Sequence, residues 1–172
     1  TLSSILETVH CKLHPRFRRE GQSSLGKCLD LELAYRQLAV RPSHAHLSVV
    51  CVVKIQKTSQ LEFFEVCALP FGANAAVHWF NRSVAALEGI IVKILRVPCT
   101  HYFDDFTFIV PSTMGEAVIE IVKEGLDLLG WCVKGDEKDV LLDKGFVALG
   151  VQYGLAEALP PFLIYASRTT PE

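Results

Sequence analysis

Apolar residues recur along this chain with two periods, and the changes of period mark its elements. From Ala73 to Leu95, the positions Phe80, Val84, Leu87, Ile91 and Leu95 follow one another at three or four residues. That is the stripe of an amphipathic helix. A second helix is predicted from Thr113 to Leu129, burying Val118, Ile121, Val122, Leu126 and Leu129. Thr113-x-x-Glu116 reads as its capping box and Gly130 as its stop. Runs rich in Val, Ile and Phe at Leu47–Ile55 and Leu61–Cys67, joined by polar Gln56–Gln60, predict a β-hairpin. A strand is predicted at Lys27–Leu31, running into a short turn or helix around Ala34–Leu38. Cys99–Phe103 and Phe106–Val110 predict a tight hairpin with Asp104 and Asp105 at its turn. Val140–Leu142 and Phe146–Val151 read as further strands, and residues 14–27 as a polar loop. Hairpins, helix, hairpin, helix and strands in this order predict an α+β fold, with helices on one face of an antiparallel sheet.

Composition narrows the class. The chain has 172 residues, which suits one domain or a compact piece of a longer chain. Half the residues are hydrophobic, 21% are charged and mean hydropathy is +0.29, which excludes intrinsic disorder. The longest membrane-span candidate, Gly89 to Val97, is broken by Lys93 and Arg96, so no membrane partner is expected. With a net charge of −2, any nucleic-acid surface must be local and small. Six cysteines without a CxxC pair predict free thiols in a reducing, intracellular setting, cytoplasmic or nuclear. The apolar neighbours of Cys51 and Cys67 predict that both are buried. The chain opens at Thr1 without a secretory leader and closes on an unstructured-looking tail, and it is read as a segment of a longer open reading frame.

The chemistry concentrates at Tyr102-Phe103-Asp104-Asp105-Phe106. Adjacent carboxylates between apolar strands raise one another's pKa unless a cation lies between them. Hard oxygen ligands suit Mg²⁺ or Mn²⁺. Asp30, at the end of the Cys28-Leu29 strand, is the candidate third acid. If the two strands are neighbours, the three acids meet at one sheet edge and can hold two ions about 3.5–4 Å apart. Two plainer readings stand beside this one: a solvated Asp-Asp turn, and Asp30 as a helix cap. His10, Cys11 and His14 lack a second ligand pair for zinc. His44 and His46 are expected to alternate on a strand, sharing an exposed face, and His78 to lie on a helix surface. No GxSxG motif supports a serine hydrolase.

Asp30-Leu-Glu-Leu-Ala-Tyr35-Arg-Gln37 resembles motif A of reverse transcriptases. Leu69-Pro70-Phe71-Gly72, with Ala75-Ala76 and Phe80-Asn81, resembles motif B of retrotransposon polymerases. Tyr102-Phe103-Asp104-Asp105 matches the YxDD box, motif C. Leu129-Gly130-Trp131 with Lys138 resembles motif D, and Ala148-Leu149-Gly150 the start of the primer-gripping strands. The motifs fall in the family's order over residues 27–155. The resemblance implies a truncated reverse transcriptase (RNA-directed DNA polymerase) domain of retrotransposon or retroviral type. Residues 1–26 and 39–70 would be partial fingers, 27–38 and 71–155 palm, and 156–172 a tail toward a thumb.

The resemblance also implies roles. Asp30 and Asp104 would be the main ligands of two Mg²⁺ (or Mn²⁺) ions, with the Leu31 carbonyl contacting one and Asp105 in support. Leu33 and Ala34 would offer backbone N–H groups to the dNTP phosphates. Tyr35 would exclude a 2′-hydroxyl, Phe71 and Gly72 would form the nucleotide and template floor, and Tyr102 would pack near the primer terminus. Lys138 would protonate the leaving pyrophosphate, with Lys134 a competitor for that role. The partners would be an RNA/DNA template-primer duplex and dNTPs. Arg16, Arg18, Arg19 and Lys27 do not align with the triphosphate clamp of the family's fingers, and the residues given after Leu155 are too few to be expected to form a thumb. The alternative expectation is therefore a catalytically inactive retroelement remnant with at most nucleic-acid binding. A third class, RNA-copying polymerases and cyclic-nucleotide synthases, favours GDD or GGDEF hairpins instead.

Overall fold

The computed structural model describes residues 24–54, 60–135 and 145–155, together with the backbone of 164–168. The chain forms two compact units, one of Thr1–Glu32 with Ser83–Glu172, the other of Leu33–Arg82. The architecture is α+β with antiparallel sheets.

The larger unit is built on a three-stranded sheet. Strands β1 (Ser24–Asp30), β4 (Cys99–Tyr102) and β5 (Asp105–Pro111) run in the order β1-β5-β4. The polar stretch before Lys27, expected as loop, supplies the first residues of β1. Every residue of β5 after Asp105 is buried, as a continuous apolar run in a central strand requires. Register fixes the two faces, because directly paired residues point the same way. Leu29, Phe106, Phe108 and Cys99 share one face, and Gly26, Cys28, Thr107 and Ile109 share the other.

A second sheet covers part of that other face. Strands β6 (Gly145–Ala148), β7 (Val151–Leu155) and β8 (Ile164–Arg168) pair in that order. Ile109 packs with Phe146, Ala148, Tyr153 and Leu155, and Cys28 lies against them. Gly26 is needed here, since a Cβ at that position would run into the Phe146 ring. The single strand expected at Phe146–Val151 is therefore two. Leu149 and Gly150 both take positive φ, 52° and 71°, and reverse the chain so that Ala148 faces Val151. The segment read as tail contributes β8 on the outer side of β7. The strand expected at Val140–Leu142 lies outside the described residues, as do His10, Cys11, His14, Arg16, Arg18 and Arg19.

Helix α1 (Asn74–Lys93) passes from the smaller unit into the larger, burying the expected Phe80, Val84, Leu87 and Ile91. Helix α2 (Gly115–Leu128) packs against β5. Its start differs from the expected capping box: Ser112–Met114 form a 3-10 turn, and no side chain caps the helix. Its buried face is Gly115, Val118, Ile119, Val122 and Leu126, while Ile121 and Leu129 are exposed. Apolar residues at 118, 119, 121 and 122 surround this short helix, so spacing alone permits two stripes. Gly130, at φ 80°, ends it: Gly130 N–H donates to Asp127 O and Trp131 N–H to Leu126 O, the Schellman arrangement.

In the smaller unit, strands β2 (Val49–Lys54) and β3 (Gln60–Glu65) form the expected hairpin. His44 and His46 stand on a 3-10 turn, Pro42–Leu47, not on a strand. Pro42 presets the turn's φ, and at three residues per turn the two histidines do not share a face. Cys51 and Cys67 are exposed, contrary to expectation: Cys51 stands on a hairpin whose faces are both uncovered, and Cys67 on the stretch that follows it. No helix among the described residues is long and apolar enough to cross a membrane.

Candidate functional site

The acidic residues gather where β1 and β5 meet the β4–β5 turn. Asp30, last in β1, pairs directly with Asp105, first in β5. Their side chains therefore leave the same face, with like charges opposed across the ladder, an unfavourable pairing. Tyr102 also pairs with Asp105, which makes Phe103 and Asp104 the two turn residues. The expected Asp104-Asp105 turn is thus shifted by one position. A two-residue hairpin turn that matches strand twist needs positive φ at its first position, and Phe103 has φ 53°. An aromatic residue in that region is strained by roughly 1–2 kcal/mol. Leu31 N–H donates to the Asp104 carbonyl at 3.3 Å, tying the turn to the end of β1.

The electrostatics follow from this crowding. Burial raises the Asp30 carboxyl above the usual range, the Lys134 ammonium opposes the shift, and the Asp104 charge adds to it. Burial also raises Asp105, reinforced by the charges of Asp30 and Asp104. Cys28 lies on the same face, two residues before Asp30, and its thiol is pushed up to about 12, chiefly by burial and then by Asp105. The thiol is therefore kept protonated beside the Asp105 carboxylate.

Among the described residues, Lys134 brings a cation to the cluster. After Gly130 turns the chain, residues 131–134 run antiparallel to the end of β1. Leu31 bridges Val133, Glu32 N–H donates to Cys132 O at 3.0 Å, and Lys134 N–H donates to Asp30 O at 3.0 Å. In that pattern Leu31 turns its own N–H and C=O toward the hairpin side. Lys134 Nζ stands 3.3 Å from Asp30 Oδ2. Sequence reasoning missed this pair, because Lys134 reaches Asp30 only through a strand pairing between distant segments. Lys138 lies outside the described residues. On the opposite face, Glu88 of α1 meets His101 of β4 at 2.7 Å, one residue before Tyr102. The Tyr102 ring is exposed and lies edge-on to Phe103, 5.0 Å between centroids.

The other candidates belong to the smaller unit. Tyr35 stacks on Phe80 at 4.4 Å and meets Phe71 edge-on at 5.6 Å. The Phe71 side chain is 89% exposed. Gly72 has φ 94° and open space around it, leaving backbone accessible beside Phe71. Leu33 and Ala34 carry consecutive positive φ values, 54° and 27°, at the entry to the 3-10 turn Ala34–Gln37.

Among the described residues, no three His, Cys, Asp or Glu side chains are already gathered as ligands around one point. The donor chemistry nonetheless fits a hard divalent cation: Asp104 near enough for its charge to act on Asp30, Asp105 opposite Asp30, and the Leu31 carbonyl on the same side. Against known proteins, the chain matches no protein-family model and no curated sequence.

Proposed function

We propose that this chain is the palm of an RNA-directed DNA polymerase, joining a dNTP to a primer 3′-hydroxyl. The observation that carries the reading is the register Asp30 opposite Asp105 with Asp104 in the adjoining turn. It brings three carboxylates from two distant segments to one sheet edge.

A pair of Mg²⁺ or Mn²⁺ ions supplies, when bound, activation of the primer hydroxyl and neutralisation of the triphosphate. Asp30 and Asp104 would hold both ions, with the Leu31 carbonyl and Asp105 in support. The chain's own contribution is positioning, which is most of the catalysis in phosphoryl transfer. The paired strands fix Asp30 against Asp105, and the Leu31–Asp104 hydrogen bond fixes the turn. Tyr35, its ring held by Phe80, would reject a 2′-hydroxyl, with Phe71 and Gly72 as the floor for the base. Leu33 and Ala34 would offer N–H groups to phosphate, Tyr102 would meet the primer end, and Lys138 would give the leaving pyrophosphate its proton.

The test is primer extension on a poly(rA)–oligo(dT) template with Mg²⁺ or Mn²⁺. Incorporation of dTTP over UTP, abolished by Asp104→Asn, is expected. No incorporation under any condition would leave the retroelement-remnant reading in its place.

A further inference from the structure

Among the described residues, Lys134 places a cation of the chain's own against the acidic cluster. Lys134 is held twice to the same residue, by its backbone N–H to Asp30 O and by its ammonium to Asp30 Oδ2. The backbone tie is part of a strand-like pairing, so the lysine's root is fixed while its side chain is free to leave. Its side chain is 59% exposed, and that of Asp30 38%. The pair is therefore open to solvent, and an exposed pair of this kind is weak enough to exchange. The carboxylate it covers is the one whose other neighbours, Asp104 and Asp105, are both acids.

We propose that Lys134 is a built-in competitor for the divalent cation at Asp30. It neutralises the carboxylate while the site is metal-free and swings into solvent when a divalent ion loads. The proposal rests on the metal-site reading of Asp30 and Asp104, and it adds a regulation of that site. A lysine at this point sets the divalent concentration at which the site fills. Two cations cannot share one carboxylate oxygen without repelling each other, and a divalent ion beside an ammonium feels twice the unit repulsion.

The experiment uses the whole 172-residue chain and Mn²⁺ alone, without nucleotide or template. Mn²⁺ binding is titrated by electron paramagnetic resonance for the wild type, Lys134→Met, Lys134→Arg and Asp104→Asn. Lys134→Met is expected to tighten Mn²⁺ binding roughly fivefold, the scale of an exposed ion pair. Lys134→Arg is expected to stay near wild type, and Asp104→Asn to lose binding. A second readout needs no substitution at Lys134. Acetylation of the Lys134 amine in wild type, followed by peptide mass spectrometry, is expected to accelerate when Mn²⁺ is added. Equal Mn²⁺ affinity in wild type and Lys134→Met, or weaker binding in Lys134→Met, overturns the proposal and leaves the metal site standing. An acetylation rate indifferent to Mn²⁺ in protein that binds the ion also overturns it. Absence of Mn²⁺ binding in every form overturns the proposal and the metal-site reading together.

Discussion

Strand β5 and the β2–β3 hairpin are written in nearly the same alphabet, yet they meet opposite fates. Phe106, Phe108, Ile109 and Val110 are at most 1% exposed, whereas Val52, Phe63 and Phe64 stand 47%, 66% and 51% exposed. Both segments are apolar at successive positions. The difference lies in their neighbours. Strand β5 has a strand on each edge, and Ile109 lies under Phe146 and Tyr153 of the second sheet. Among the described residues, the hairpin has one partner strand per strand and open faces on both sides. Apolar composition states what a strand would gain from burial. The layers around it decide whether it collects that gain, and a two-stranded hairpin alone is marginal.

The contrast breaks most easily in stability. Phe108→Ala is expected to destabilise the protein by about 3–5 kcal/mol, through lost burial plus a cavity. Phe64→Ala is expected to change stability by no more than about 0.5 kcal/mol, as at other exposed sites. Urea unfolding of the two variants measures both. Comparable losses would show that the hairpin is covered in solution, and the contrast would fail.

The same logic explains what was legible in the sequence. The α1 stripe of Phe80, Val84, Leu87 and Ile91 could be read because a helix reports its buried face through local spacing. Cys51 and Cys67 are exposed despite apolar chain neighbours, because such neighbours say nothing about what packs over a residue. The break at Leu149 was hidden because leucine rarely takes positive φ, although Gly150 beside it was a turn signal. At the candidate site, Asp104 and Asp105 announced themselves as a local motif. The pairing with Asp30 was expected only as a conditional, since register between distant strands is not a local property. The Lys134 contact depends on a third segment, and the sequence carries no pattern for it.

A second, smaller prediction uses the acidic edge, where the sheet buries charge instead of apolar surface. Asp30 and Asp105 both have raised pKa values in the folded protein, chiefly through burial, with the Asp104 charge adding to both and the Asp30 charge to Asp105. Folded protein therefore holds these protons more tightly than the unfolded chain does. Stability contributed by them is present at acid pH and is lost as pH rises through the folded-state pKa values. In EDTA at neutral pH, Asp105→Asn removes one of the opposed charges and is expected to stabilise by up to about 1 kcal/mol, a solvent-screened cross-strand effect. The advantage is expected to vanish as pH falls toward the ordinary carboxylate value. Thermal melts of both proteins across that range measure it. A gap that grows on acidification would mean that Asp105 is stabilised as an anion, and the crowding argument would be lost.

The smallest effect leaves stability untouched and reads the contrast through thiol chemistry. Cys51 lies on the open hairpin and Cys67 just beyond it, and both are exposed, whereas Cys99 is buried in β4. Burial, with the Glu88 charge behind it, raises the Cys99 pKa, and Cys28 is pushed up to about 12 by burial and Asp105. Because the thiolate is the nucleophile, reactivity falls with both inaccessibility and raised pKa. Brief alkylation of native protein at neutral pH is expected to label Cys51 and Cys67 first, together with exposed Cys132, and to spare Cys99 and Cys28. Peptide mass spectrometry resolves the sites. Protection of Cys51 that disappears in Phe64→Ala would identify a cover over the hairpin. Rapid labelling of Cys28 would show that the second sheet does not hold its place over Gly26, and with it the packing that orients the acidic edge.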